Sequence, residues 1–317
     1  MNGAVLVGSL SQGNLGDEAM LRAAKARYGS KPHVVLSRDL GRFRLFKLWD
    51  LFRNRHGLIF IGGSLLQNVT SNRSLFYYVA LIVLARLAKT EIIFEGQGWG
   101  PFTSTWSEAL ATWALGLADR VELRDVVAFN KLGRSGTAPL QRKGNLTLGV
   151  DPAFRMPVKI MPYLTLKRSV GFVLRPHASL DEHAKAVLLD FCRSLISRWG
   201  KKLIFIPLAR PEDDAVCRWF AEQLSACDPA PVWVKPERLE DALQILSEVE
   251  LLFSMRYHGC VFSEWLHGSY IGLSYDPKVA HHCELYRRPF LNMQSLKLDD
   301  LNYLWGQMNM QLQDPVL

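Results

Sequence analysis

Short apolar runs alternate with helical patterns along almost the whole of this 317-residue chain. Candidate strands lie at 4–8, 33–36, 57–61, 91–94, 120–123 and 146–150, with helices between them at 17–28, 74–88 and 106–117. Strands that alternate with helices build parallel sheets covered on both faces. The alternation breaks over 151–168, where Pro152, Pro157 and Pro162 stand without clear periodicity and read as a linker. It resumes with strands at 169–174, 202–207, 232–234, 250–253 and 270–274, and helices near 184–199, 211–225 and 240–248. Residues 299–313 read as a closing helix. The expected architecture is α/β, with two Rossmann-like domains facing across a cleft. The N-terminal domain covers 1–160, the C-terminal domain 168–295, and the closing helix falls in 296–317.

A hydrophobic fraction of 49% fits a packed globular chain rather than a disordered one. The N-terminus enters a strand-like run without a basic n-region, so no leader is expected. The longest apolar run, 75–85, stops at Arg86; it is too short to span a bilayer and suits a buried helix. The five cysteines are scattered, odd in number and free of any CxxC pair, so neither a disulfide framework nor a zinc site is expected. The expected setting is cytoplasmic.

The formal charge is +8, and part of it is local. Segment 42–55 carries Arg42, Arg44, Lys47, Arg53 and Arg55 against Asp50. Its Leu45, Leu48, Trp49 and Phe52 follow the i, i+3, i+4, i+7 spacing of one helical face. Two readings stay open: an element for an anionic membrane surface, or a helix packing its apolar face on a sheet with solvated cations outside. Nucleic acid is not an expected partner, because no helix-turn-helix, RNP or zinc-finger pattern is present.

Chemistry concentrates at strand ends, where open α/β sheets bind ligands. The first strand runs into Gly13-Asn14-Leu15-Gly16-Asp17-Glu18, a tight turn into a helix whose free N–H groups favour an anion or a sugar hydroxyl. It is not GxGxxG, which disfavours NAD. The third strand runs into Gly62-Gly63-Ser64-Leu65-Leu66-Gln67-Asn68, and the fourth into Gln97-Gly98-Trp99-Gly100-Pro101. Each loop alone could be a structural turn. Together they suggest a sugar-sized pocket with an indole and amides. In the second half, Arg175 follows one strand, Arg210 another, and Arg256-Tyr257-His258 a third. Arg175, Arg256 and His258 on one rim would suit a small, multiply charged anion. The bland alternative is strand-end arginines in salt bridges and a packing histidine.

In this order the motifs resemble those of the polysaccharide pyruvyl transferase family, and in particular its bacterial branch acting on cell-wall and exopolysaccharide precursors. The matching pieces are Gly13 to Glu18, Gly62 to Gln67, Gln97 to Pro101, Arg124-Asp125, Asp151-Pro152-Ala153-Phe154, Met255 to His258 and Ser274-Tyr275-Asp276-Pro277-Lys278. The resemblance implies a glycosyltransferase-B-like fold. It implies transfer of pyruvate from phosphoenolpyruvate onto two hydroxyls of one sugar, forming a ketal and releasing phosphate. The acceptor is expected to be a sugar or lipid-linked glycan. Arg175, Arg256, Tyr257 and Lys278 would then hold phosphoenolpyruvate and His258 would transfer protons, while Asn14, Gln67, Asn68, Gln97 and Trp99 would contact the acceptor. No cofactor or metal is implied. The chain departs from the family pattern at Asn68, where an acid is usual, and at Ile61, where a glycine is usual; Asp17 is the nearest remaining carboxylate for catalysis. The competing readings are a nucleotide-sugar glycosyltransferase, for which Glu264 would be the ribose carboxylate, and a non-catalytic glycan-binding relative.

Overall fold

The structure is a computed structural model that describes residues 3–8, 13–29, 34–36, 45–134, 145–159 and 169–313. It divides into two compact units, one of residues 1–12 and 17–157, the other of residues 13–16 and 158–317.

The first unit holds β1 (Val5–Val7), α1 (Leu15–Tyr28), β2 (Val34–Leu36), α2 (Leu45–Arg53), β3 (Gly57–Ile61), α3 (Asn72–Leu87), β4 (Glu91–Gln97), α4 (Thr105–Leu115), β5 (Arg120–Leu123), α5 (Val126–Arg134) and β6 (Leu146–Leu148). Its strands are all parallel, in the order β2-β1-β3-β4-β5-β6. β3 is buried along its whole length, which is why it reads as a continuous apolar run rather than an alternating one. Phe60 and Phe94 stack at 4.3 Å between ring centroids across β3 and β4. β4 extends through Glu95, Gly96 and Gln97, three residues beyond the expected strand. Buried Glu95 accepts there from Tyr28 Oη at 2.5 Å and pairs with Arg27 Nε at 3.0 Å. Gly62 opens the loop after β3 with φ of +48°, and a Cβ there would lie 2.2 Å from Met20 Sδ of α1. Both the backbone and the packing therefore demand glycine.

The second unit holds β7 (Ser169–Val173), α6 (Glu182–Trp199), β8 (Lys202–Phe205), α7 (Asp214–Gln223), β9 (Val232–Trp233), α8 (Leu239–Glu248), β10 (Val249–Ser254), α9 (Tyr257–Trp265), β11 (Tyr270–Ser274), α10 (Pro277–Leu285), β12 (Phe290–Asn292) and α11 (Leu298–Gln313). Its strands are again parallel, in the order β12-β11-β10-β7-β8-β9. Phe172 stacks on Phe253 at 5.2 Å and on Phe205 at 5.4 Å. The closing helix α11 lays Leu301 and Trp305 into this same core. The strand β12 was not expected: three residues framed by Arg288, Pro289 and a turn carry no periodicity. The five cysteines are free thiols, and burial pushes those of Cys192 and Cys217 far above the ordinary thiol range.

The apolar face of 42–55 resolves in part. Leu48 and Phe52 are buried in the first core, so Phe52 is not a membrane anchor. Arg42, Phe43 and Arg44 lie outside the described residues, as do the side chains of Leu45, Phe46 and Lys47. No helix among the described residues is long and apolar enough to cross a membrane.

Candidate active site

In the second unit the charged groups collect at the C-terminal ends of four adjacent strands. Arg175 follows β7, Glu212 and Asp213 precede α7 after β8, Arg256 follows β10, and Tyr275 follows β11. Arg175 Nη1 donates to Tyr275 Oη at 2.7 Å, and the guanidinium lies 5.1 Å from that ring's centroid. Its Nη2 donates to Glu212 Oε1 at 2.8 Å, while Arg256 Nη2 meets Glu212 Oε2 at 2.9 Å. Glu212 therefore bridges the two guanidiniums, one oxygen to each. Arg256 also donates from Nε to Asp213 Oδ2 at 3.0 Å and from Nη2 to Asp213 Oδ1. Asp213 Oδ2 accepts in addition from the backbone N–H groups of Leu208, at 3.2 Å, and Ala209, at 2.9 Å.

The two arginines of the rim are balanced by two carboxylates. They differ in accessibility: the Asp213 side chain is 0% exposed and the Glu212 side chain 47%. Asp213 is the buried counter-ion of Arg256, and Glu212 the solvent-accessible one. Burial pushes the Asp213 carboxyl up, against the pull of Arg256. Burial also works to raise Glu212, but the hydrogen bond and charge of Arg256, with the charge of Arg175, hold it below its ordinary value. Burial works to lower Arg256, but the hydrogen bonds and charges of Asp213 and Glu212 hold it above its ordinary value, so it stays charged. Sequence reasoning gave no site role to Glu212, Asp213 or Tyr275, although Tyr275 stands in a motif that it singled out. It weighed Arg210 on that loop, which instead pairs with Asp214 at 2.9 Å. The available signal was two successive acids beside a strand end in a cation-rich rim.

His258 stands in the first turn of α9, edge-on to Tyr257 at 5.3 Å between ring centroids. Residues 13–16 belong to this unit and run antiparallel along 208–210. Leu15 N–H donates to Leu208 O and Arg210 N–H to Gly13 O, each at 2.9 Å. A Cβ on Gly16 would sit 2.1 Å from His258 Nδ1, so the backbone lies against the imidazole and only glycine fits. The Asn14 side chain accepts from Gly16 N–H at 3.1 Å and shapes this turn. Lys278 is half-buried at the start of α10, its ammonium 3.3 Å from Asp276, the residue that caps the helix. Glu264 is held by Arg288 at 2.9 and 3.1 Å, a structural pairing that occupies the carboxylate kept open for a ribose.

In the first unit the acceptor candidates sit after β3 and β4. Gln97 is buried and donates from Nε2 to Gly62 O at 2.5 Å. Trp99 N–H donates to Glu108 at 3.3 Å, and its ring packs edge-on to Phe102. Gln67 bonds Thr70 through both ends of its amide. Asp17 is buried in the opening turn of α1. Arg124 and Asp151 form a buried ion pair, and Asp151 also caps the 3-10 turn Pro152–Arg155 through Ala153 N–H at 2.9 Å. These two motif residues therefore latch β5 to the segment after β6.

Asn68 has a structural account. Its Nδ2 donates to Asn72 Oδ1 at 2.9 Å and Thr103 Oγ1 at 2.6 Å, and its Oδ1 accepts from Thr103 N–H at 2.8 Å. A carboxylate could keep the last bond and accept from the Thr103 hydroxyl, but it would lose the bond to Asn72 and face its oxygen. Asn68→Asp should therefore lower stability by about 1–3 kcal/mol, read as the urea midpoint, without raising turnover. Unchanged stability with faster turnover would show that this position is a base site after all.

Two Rossmann-like units with parallel sheets make this a glycosyltransferase-B-like α/β protein. A putative UDP-N-acetylglucosamine 2-epimerase from Listeria monocytogenes superposes with TM-score 0.66 at 11% identity, over 99% of this chain and 88% of that one. The UDP-GlcNAc 2-epimerase of Neisseria meningitidis gives 0.65 at 9% identity, over 99% and 92%. The glycotransferase of kitacinnamycin gives 0.51 at 9%, over 99% and 92%. At such identities the likeness is one of fold. No curated protein matches the sequence. The chain belongs to the polysaccharide pyruvyl transferase family, whose sequence profile matches residues 14–277.

Proposed function

We propose that this protein moves pyruvate from phosphoenolpyruvate onto two hydroxyls of one sugar in a cell-surface glycan precursor carried on a lipid. The observation that carries this reading is the pair Arg175 and Arg256, joined by one exposed carboxylate, with His258 two residues after Arg256. Phosphoenolpyruvate presents a carboxylate and a phosphate, and displacing Glu212 opens both guanidiniums to it. Tyr257 and Lys278 are the further donor contacts proposed from the family motif. The acceptor is assigned to the first unit, through Gln67, Asn68, Gln97 and Trp99; Asn14, proposed with them, stands in the segment 13–16 that belongs to the second unit.

Protonation of the methylene carbon makes the adjacent carbon electrophilic. A sugar hydroxyl adds to that carbon and loses its proton. Phosphate then leaves, and the second hydroxyl closes the ketal. His258 delivers the first proton, since an imidazole ordinarily titrates near working pH. The guanidiniums stabilise the charge on departing phosphate. Asp17 is the carboxylate proposed to take the hydroxyl proton. The setting is the cytoplasmic leaflet, where cations of 42–55 meet anionic lipid.

The decisive assay supplies phosphoenolpyruvate and lipid-linked sugars, then measures phosphate release and the mass of the acceptor. A thermal shift with a nucleotide sugar and none with phosphoenolpyruvate would overturn the reading in favour of a glycosyltransferase. A finer test concerns Glu212. If it competes with the donor, Glu212→Gln should tighten phosphoenolpyruvate binding by roughly two- to fivefold, the worth of a half-exposed ion pair. Equal or weaker affinity in calorimetric titration would show that Glu212 positions the arginines rather than shielding them.

A further inference from the structure

We propose that the outer face of α3 and α4 is a docking surface for an anionic lipid bilayer. The face is apolar where a surface helix should be polar. Along α3, Phe76, Ala80, Val83 and Leu87 repeat at i, i+4, i+7, i+11, and they fall opposite the buried Leu75, Tyr78 and Ile82. Along α4, Trp106, Leu110 and Trp113 repeat at i, i+4, i+7. The two stripes meet, since Phe76 stacks on Trp106 at 5.9 Å. Four of these side chains are largely in solvent: Phe76 is 51% exposed, Leu87 63%, Trp106 47% and Trp113 54%. A helix that is apolar all round is ordinarily covered on all sides, so a continuous exposed stripe marks an interaction site.

Charge decides the occupant. From 72 to 90 the sequence holds no acid, and exposed Arg73, Arg86 and Lys89 stand at the two ends of α3. Arg86 is engaged with Asp119 at 3.2 Å; both side chains remain solvent-accessible. The neighbouring helix α2 packs against α3 and adds exposed Arg53 from the basic segment 42–55. Aromatic side chains between cations are the composition of an interfacial membrane surface, where indoles sit at headgroup depth and Lys and Arg meet anionic lipid. A second copy of the chain fits worse. A twofold contact sets a patch against itself, so these cations would meet their own copies across an interface to which α3 brings no acid. The proposal takes its use from the lipid-linked acceptor above, but the surface carries it without that reading. It also moves the apolar part of the membrane contact from 42–55, where Phe52 is buried, to α3 and α4.

The test is co-sedimentation of the full chain with vesicles of phosphatidylglycerol and phosphatidylcholine, and with phosphatidylcholine vesicles alone. Wild type should partition onto the anionic vesicles at low salt and largely release at high salt. Replacing Phe76, Trp106 and Trp113 together by serine should cut that partitioning roughly tenfold or more. Ala80→Glu, a helix-compatible change at an exposed position, should weaken it in the same direction by setting a carboxylate among the aromatics. Circular dichroism and thermal unfolding confirm that both variants fold. Turnover of a water-soluble acceptor should be unchanged in both, and the binding readout stands whether or not that activity is found. Wild type that ignores anionic vesicles overturns the proposal. So does equal binding to neutral vesicles, or a dimer in analytical ultracentrifugation that the serine variant dissociates.

Discussion

His258→Ala should lower kcat by roughly 10²–10⁴ while phosphoenolpyruvate affinity changes little, the signature of a lost proton-transfer group rather than a lost binding contact. The uncatalysed obstacle in this chemistry is protonation at carbon, and an enol phosphate is a weak carbon base. A positioned acid helps most at such a step, because it is needed only as the transition state forms. The imidazole is well held for this. It stands at the start of α9, ring-edge on Tyr257, with the Gly16 backbone closing its other side. The discriminating measurement is the pH profile of kcat. Wild type should show a pH-dependent limb that the variant loses together with its rate. Turnover within threefold of wild type, with the limb kept, would remove His258 from the chemistry and return it to a packing role.

How much of this was legible in the sequence depends on what each residue answers to. The strands other than β12 could be read because a buried parallel strand is a largely continuous apolar run, as 57–61 is. β4 was cut short because Glu95, Gly96 and Gln97 look like a loop, yet each is buried and occupied: Glu95 by Tyr28 and Arg27, Gln97 by the Gly62 carbonyl. α9 gave no amphipathic signal, since its Cys260, Val261, Phe262 and Ser263 are all buried and no polar face remains. Arg175 and Arg256 were found by their place at strand ends. Their counter-ions were not, because a pairing between residues separated by 37 and 43 positions leaves no local periodicity. The run 75–85 was expected to be wholly buried. Sequence could show that it is apolar throughout, but only the sheet's position shows which side of the helix is left uncovered.

Asp213→Ala should destabilise the protein by about 3–5 kcal/mol, a large share of a typical domain's total. Two losses combine. The Leu208 and Ala209 amides lose a buried acceptor, and Arg256 loses a fully buried partner. Glu212 remains, but it is half exposed and shared with Arg175. Because the Arg256 side chain is only 12% exposed, water cannot easily replace the missing carboxylate. The alternative, that Asp213 matters merely by filling space, makes a different forecast, and a double-mutant cycle separates them. If charge pairing dominates, Arg256→Met should relieve much of the damage in the Asp213→Ala background, because the uncompensated cation is gone. If packing dominates, the two losses should add. Urea unfolding of the four proteins measures both, with the midpoint reporting stability and the slope showing whether the unfolding remains two-state. A single-variant loss below about 1 kcal/mol, or strict additivity, would mean that the ion pair does not hold Arg256 in place; its orientation would then rest on Glu212.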